Sequence, residues 1–175
     1  QALEGLMLAD MPALLAQVEK VTGKSAEESG LLTQALIDLG RFATGLKPDA
    51  KEQGLSWFQG LTHQLEQEFF SQYDVWLTPT MLTEAPEIGF IGPDTPFEIA
   101  RVRNHSLMSY TALANGIGAP AMSVPLFTST ATGLPIGSQF MAERGNDKLL
   151  YSLAFELEEA KPWATRWAPM SAKFL

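Results

Sequence analysis

The sequence contains no cysteine, only two histidines, and twelve lysines and arginines against twenty acidic residues in 175 positions. Each shortage excludes something. Without cysteine there is no disulfide framework, no thiolate nucleophile and no thiolate-ligated zinc, and a reducing compartment, the cytoplasm, is the expected setting. A formal charge of −8 leaves no basic stripe to neutralise phosphates, so a nucleic-acid partner is not expected. No apolar run approaches the ~20 residues that cross a bilayer, so no membrane partner is expected. The first ten residues lack the basic n-region of a signal peptide. His63 and His105 fall in neither an HxxxH nor an HExxH arrangement, so no metal site is expected.

What is present is a globular composition, 46% hydrophobic and 18% charged. The first part of the chain reads as helices. Leu3, Leu6, Met7, Met11, Leu14, Leu15 and Val18 form one apolar stripe that Pro12 should break or restart, and Gly23 should end it. "SAEE" at 25–28 has the form of a capping box, with Leu32, Leu36, Leu39 and Phe42 as the buried face of the helix behind it. Pro48 and Asp49 open a longer helix, expected to run to about residue 71, with Leu55, Phe58, Leu61, Leu65 and Phe69 inward.

The pattern changes at "YDVWLTPT" (73–80), a short apolar run before a proline that reads as a buried strand. A Gly/Pro-rich loop follows. "TPFE" at 95–98, a second capping box, starts a helix expected to reach Asn115, either unbroken or with a break on the way. Residues 121–124 and 134–141 read as strands of a hairpin around "TSTATG", and Asn146 or Asp147 caps a final helix to about residue 160. The expected fold class is therefore α/β: N-terminal helices over 1–72, then an α/β lobe over 73–175 with a small mixed sheet built from a strand–helix–strand unit and a hairpin. Strand–helix–strand spacing predicts a parallel pair with a right-handed crossover. Two or three strands leave free edges, so self-association or a partner across the sheet is expected.

Several motifs invite chemistry and do not carry it. "GKS" at 23–25 resembles the end of a phosphate loop, but Val18 stands where the first glycine belongs; a helix end followed by a helix start explains it better. Ser106 beside His105 is no catalytic pair, because adjacent helical residues point apart. Glu156, Glu158 and Glu159 on the last helix read as a solvated face. No serine sits in a GxSxG elbow or an SxxK motif. The informative stretch is "ANGIGAPAMSVPLF" at 114–127, uncharged and dense in glycine and proline. It is either a tight helix-to-strand corner packed under a neighbour or such a corner forming one wall of a pocket.

"TALANGIGAPAMSVPLF", "GLPIGSQFMA" and "LLYSLAFELE" together resemble the C-terminal region of the amidase signature family. The matching positions are Thr111, Asn115, Gly118, Pro120, Ala121, Ser123 and Pro125, then Gly133, Leu134, Pro135, Gly137 and Gln139, and Glu156 or Glu158. "YDVWLTPT" is similar to that family's strand and TPT turn, and "LEEAKPWATRWAP" resembles the branch acting on linear and cyclic aliphatic amides.

The resemblance implies an amidase-type α/β/α fold with a large mixed sheet, a Ser–cis-Ser–Lys triad and amide hydrolysis through acyl transfer to serine, with no metal and no organic cofactor. The family's nucleophile lies in a Gly-Gly-Ser-Ser-Gly-Gly stretch, whereas none of the eleven serines here is followed by another. The resemblance therefore implies a C-terminal portion without catalytic residues of its own, working with the N-terminal catalytic part on a small amide substrate. It further implies substrate-facing roles for Thr80, Met81, Asn115, Ile117 and Ser123. The glutamine-using branch keeps an acidic residue shortly before the Asn-bearing turn, and residues 106–114 have none, which points to a neutral or aliphatic amide. The alternatives are a non-catalytic amidase-like subunit that binds a separate chain carrying the triad, and a helical interaction module with a coincidental hairpin.

Overall fold

Residues 2–93, 95–108, 110–168 and 170–174 are described by a computed structural model. Pro12 divides the N-terminal stripe as its missing N–H requires: α1 (Ala2–Leu8) ends, and α2 (Met11–Thr22) restarts with the proline in its first turn. Gly23 closes α2 at φ 67°, donating its N–H to Glu19 O at 2.9 Å. The "SAEE" box forms only in part. Ser25 Oγ accepts the Glu28 N–H at 3.2 Å, yet the segment is a turn, and α3 (Gln34–Thr44) begins nine residues after Ser25 behind Thr33. Gly30, at φ 67°, sends the chain out of the helical region before a second turn can form.

Helix α4 (Ala50–Glu68) follows Asp49, then strand β1 (Val75–Pro79). A break after the second box falls between α5 (Phe97–Leu107) and α6 (Thr111–Ile117). Thr95 does not cap α5; its Oγ1 accepts the Gly92 N–H at 2.9 Å, and Pro96 takes the cap position. The hairpin is β2 (Ala121–Thr128) with β3 (Pro135–Ala142), and α7 (Asp147–Ala160) follows.

The molecule is α/β, but its sheet has the order β1-β3-β2 and both ladders are antiparallel. The strand–helix–strand unit does place β1 and β2 in one direction. They are not neighbours, because the returning arm of the hairpin inserts between them; the expected parallel pair is thus replaced by two antiparallel ones. β3 is the strand whose residues are buried on both faces, Ser138 through Ala142 all being buried, and that two-sided burial goes with the central position.

Each face of the sheet packs on helices. Val124, Leu126, Phe140 and Ala142 meet Leu150, Leu153 and Leu157 of α7. On the other face, Met141 and Trp76 meet Phe58, Leu61 and Leu65 of α4 and Ala114 and Ile117 of α6. The corner from α6 into β2 lies close to α4. A Cβ added at Gly116 would stand 2.1 Å from Phe58 Cε1. Gly118 then turns the chain at φ 67°, with its N–H on Ala114 O. Among the described residues no helix is long and apolar enough to cross a membrane.

Candidate functional site

Register decides which side chains meet at the end of the sheet. Thr78 of β1 and Ser123 of β2 both pair with Gln139 of β3, so the three share one row and one face. Thr80 continues the ladder beyond β1, its N–H donating to Gly137 O at 2.9 Å. Gly137 has no side chain, and over it the Thr80 and Ser123 hydroxyls meet at 2.6 Å. A Cβ at Gly137 would fall 2.6 Å from Thr80 Oγ1 and 2.7 Å from Ser123 Oγ, so this glycine makes the hydroxyl pair possible.

The pair forms the floor of a hollow of about 290 Å³, walled by Met81, Ala85, Pro125, Pro135 and Ile136. The wall is pinned from outside. Thr132 Oγ1, in the hairpin turn, donates to Glu84 Oε2 at 2.5 Å. Hydrogen bonds from Ser129 and then Thr132 hold the Glu84 carboxyl below its ordinary pKa. Beside the floor, Thr78 Oγ1 is buried without a hydrogen-bond partner, and Gln139 is 5% exposed.

Three of the five expected site residues, Thr80, Met81 and Ser123, line this hollow together. The structure does not bring the other two to it. Ile117 is buried against Phe58, Ala114 and Met141, and Asn115 is exposed on α6. They belong to the corner that leads into β2, six residues or more before Ser123. Gly137 and Thr78 were not expected as site residues. The period-two alternation of "VWLTPT", which sets Thr78 and Thr80 on one face, is the signal that marks Thr78.

Chemically the hollow can hydrogen-bond through its hydroxyls. Among the described residues that line it there is no His, Asp, Glu or Lys beside the hydroxyl pair to act as a base. Among the described residues no three His, Cys, Asp or Glu side chains gather in a metal-holding group.

A larger cavity, about 510 Å³, lies elsewhere, between α1, α3 and α5. Its lining is mostly apolar and includes Glu4, Arg101, Asn104 and His105.

Comparison with known proteins decides the family. The Amidase family profile matches residues 16–151. The chain belongs to the amidase family. It is 46% identical over 97 residues to "Putative amidase AmiC" of Mycobacterium leprae, covering 55% of this chain and 20% of that protein. It is 33% identical over 109 residues to the 6-aminohexanoate-cyclic-dimer hydrolase of Paenarthrobacter ureafaciens, covering 59% of this chain and 22% of that one. The chain thus spans about a fifth of the length of these curated amidase relatives. The fold agrees: a structure of 6-aminohexanoate cyclic dimer hydrolase superposes with a TM-score of 0.75 at 22% identity, covering 95% of this chain and 36% of that chain. A bacterial aryl acylamidase of the amidase signature family gives 0.65 at 19% identity, over 93% and 33%.

Proposed function

We propose that this chain is the C-terminal, substrate-side portion of an amidase that hydrolyses the C–N bond of a small neutral carboxamide. The Ser–cis-Ser–Lys triad lies in the portion N-terminal to it, and the chain alone is inactive. The family match over residues 16–151 carries this proposal, and the hollow at the sheet end supports its division of labour. The residues gathered there are neutral hydrogen-bonding and apolar groups, suited to holding an uncharged amide and unsuited to attacking it.

In this scheme a serine from the catalytic portion attacks the amide carbonyl, the C–N bond breaks, and the amine departs with a proton. Water then cleaves the acyl-serine to a carboxylic acid. Acyl transfer to serine balances without a metal or a redox cofactor. This chain contributes Thr80 and Ser123 as hydrogen-bonding contacts and Met81 as an apolar one. Asn115 and Ile117 set the α6–β2 corner behind them, and the cysteine-free sequence suits a cytoplasmic enzyme. An aliphatic substrate is supported by the relatives named 6-aminohexanoate-cyclic-dimer hydrolase and by the lack of an acidic side chain over 106–114.

The test is kinetic, in the protein that carries both portions. Ser123→Ala and Thr80→Val should each raise KM for a short aliphatic amide several-fold, about what the loss of one neutral hydrogen bond costs, at unchanged thermal stability. Unaltered KM and kcat in both variants would remove the hollow from the substrate path.

A further inference from the structure

We propose that Glu84 is a positioning residue for the hollow at the sheet end. By holding the loop after β1 against the hairpin turn it fixes the width of the hollow, and so selects unbranched amides over branched ones. The inference rests on the amidase proposal for the identity of the occupant; the tie itself stands on the geometry.

The two walls of the hollow are held differently. Pro125, Pro135 and Ile136 belong to β2 and β3, which are paired along a ladder. Behind them Arg166 Nη2 donates to Pro125 O at 3.0 Å, and Lys161 Nζ lies 4.4 Å from the Phe127 ring centroid. Met81, Thr83 and Ala85 belong to the loop, which leaves the ladder at Thr80, whose N–H donates to Gly137 O. Beyond Thr80 the loop is fastened at two points. Glu84 meets the hairpin turn, and Arg103 Nη1 donates to Phe90 O. Glu84 stands between Thr83 and Ala85, both in the wall, so its tie bears on the hollow directly. The Phe90 tie lies further along the loop, outside the lining.

The turn is built to receive a carboxylate. Ser129 is 8% exposed, and its Oγ accepts the N–H groups of Ala131 and Thr132, both at 3.2 Å. With both lone pairs engaged, the hydroxyl still has its proton to give, and the Glu84 carboxylate receives it. Thr132 Oγ1 accepts the Leu134 N–H at 3.3 Å and donates to Glu84 Oε2 at 2.5 Å. Two O–H donors therefore converge on Glu84 from oxygens that are already accepting. A carboxylate only accepts and so matches both. A carboxamide in its place would turn an NH2 group toward an oxygen with little acceptor capacity left. Hydrogen bonds to an ionised acceptor are roughly twice as strong as neutral ones, and here two of them hold one wall.

Width matters because of what lies between the walls. The floor is the Thr80–Ser123 hydroxyl pair, and an amide held there must pass its substituent between Met81 and the hairpin. Branching beside the carbonyl adds width just above the floor and presses on the loop wall. One surplus methylene in a closely fitting pocket is discriminated by roughly ten- to 200-fold, provided that the wall does not yield. The Glu84 tie is what keeps it from yielding.

The isomers pentanamide and 2,2-dimethylpropanamide test this, since they carry the same atoms and differ in branching. In the protein that carries both portions, Glu84→Gln should lower the kcat/KM preference for pentanamide at least fivefold, through a higher KM for pentanamide and a lower one for its isomer. Ser129→Ala, which removes one of the two donors, should move the preference the same way. Glu84→Asp keeps the acceptors and should retain part of it. Glu87→Gln, which alters a neighbouring carboxylate, should leave it at the wild-type value. A residue that only stabilised the fold would lower both rates together and leave the preference unchanged. A second readout needs no turnover. With 13C-methyl methionine, Glu84→Gln should shift the signal of Met81, which lines the hollow, and leave that of Met141, 3% exposed in the core. An unchanged preference in Glu84→Gln, or a static Met81 signal, would overturn the proposal. Failure of the wild-type protein to hydrolyse either isomer would remove the amidase proposal, and the Met81 signal would then decide whether Glu84 sets the wall.

Discussion

At the residue scale, two glycines show how far side-chain volume governs this structure. Gly116 is where α6 crosses α4, and a methyl group there would overlap the Phe58 ring. Gly60 is also helical, in the exposed part of α4, and has nothing within 4 Å of where its Cβ would stand. Opposite effects of the same substitution are therefore expected. Gly116→Ala should destabilise by about 1–3 kcal/mol through overpacking. Gly60→Ala should stabilise by about 0.5–1 kcal/mol, since it only restricts the unfolded chain. Urea unfolding midpoints, compared at constant m, check both; a Gly116→Ala midpoint at or above wild type would mean that the corner does not press on Phe58. Ile117 belongs to the same contact. Its side chain lies in the core, so a large replacement there should first be read as a core substitution.

At the element scale, the sequence was informative wherever a local rule acts alone. Pro12 separates α1 from α2, Gly23 stops α2, and the turn after Asn115 ends at Gly118, because each depends on one residue's φ or its missing N–H. It was misleading at "SAEE", where Ser25 makes its hydrogen bond to the Glu28 N–H but no helix propagates past Gly30. Strand order was not legible either. β1, β2 and β3 are all short and apolar, and which one becomes central is settled by burial on both faces at once, a property of the packed helices rather than of any single strand.

The Glu84 tie is another product of assembly, joining the loop after β1 to the hairpin turn. Hydrogen bonds from Ser129 and Thr132 favour its charged form, so its folded pKa is depressed. The stabilisation they provide is present above the carboxyl's unfolded pKa and is lost as pH falls through the lower folded value. A 13C-carboxyl titration should place Glu84 below its ordinary midpoint, and Ser129→Ala should move it upward. An ordinary midpoint in the wild-type chain would show that the loop is not held this way.

At the scale of the whole molecule, the candidate sites differ in how visible they are from sequence. Thr80, Met81 and Ser123 could be named from motifs because the residues that build the smaller hollow sit on two strands and the loop after β1, with Gly137 marked by its neighbours Pro135 and Gln139. The larger cavity has no motif. It is drawn from α1, α3, α5 and the segment around Ile91, and only the fold brings Met7, Leu36 and Met108 to one wall. Among the described residues β1 and β2 each keep an outer edge unpaired, and Tyr151 and Phe155 of α7 stay 69% and 72% exposed. A three-stranded sheet with open edges and bare aromatic rings is suited to being one part of a larger α/β body, in keeping with a chain that covers 36% of its structural neighbour.

On the proposed function, these residues hold an amide and do not cleave it. Ammonia release from octanamide by the purified 175-residue chain, measured beside the protein that joins it to its N-terminal portion, tests that directly. No release above the uncatalysed rate from the chain, with turnover in the joined protein, is the predicted result. Sustained turnover by the chain alone would contradict it.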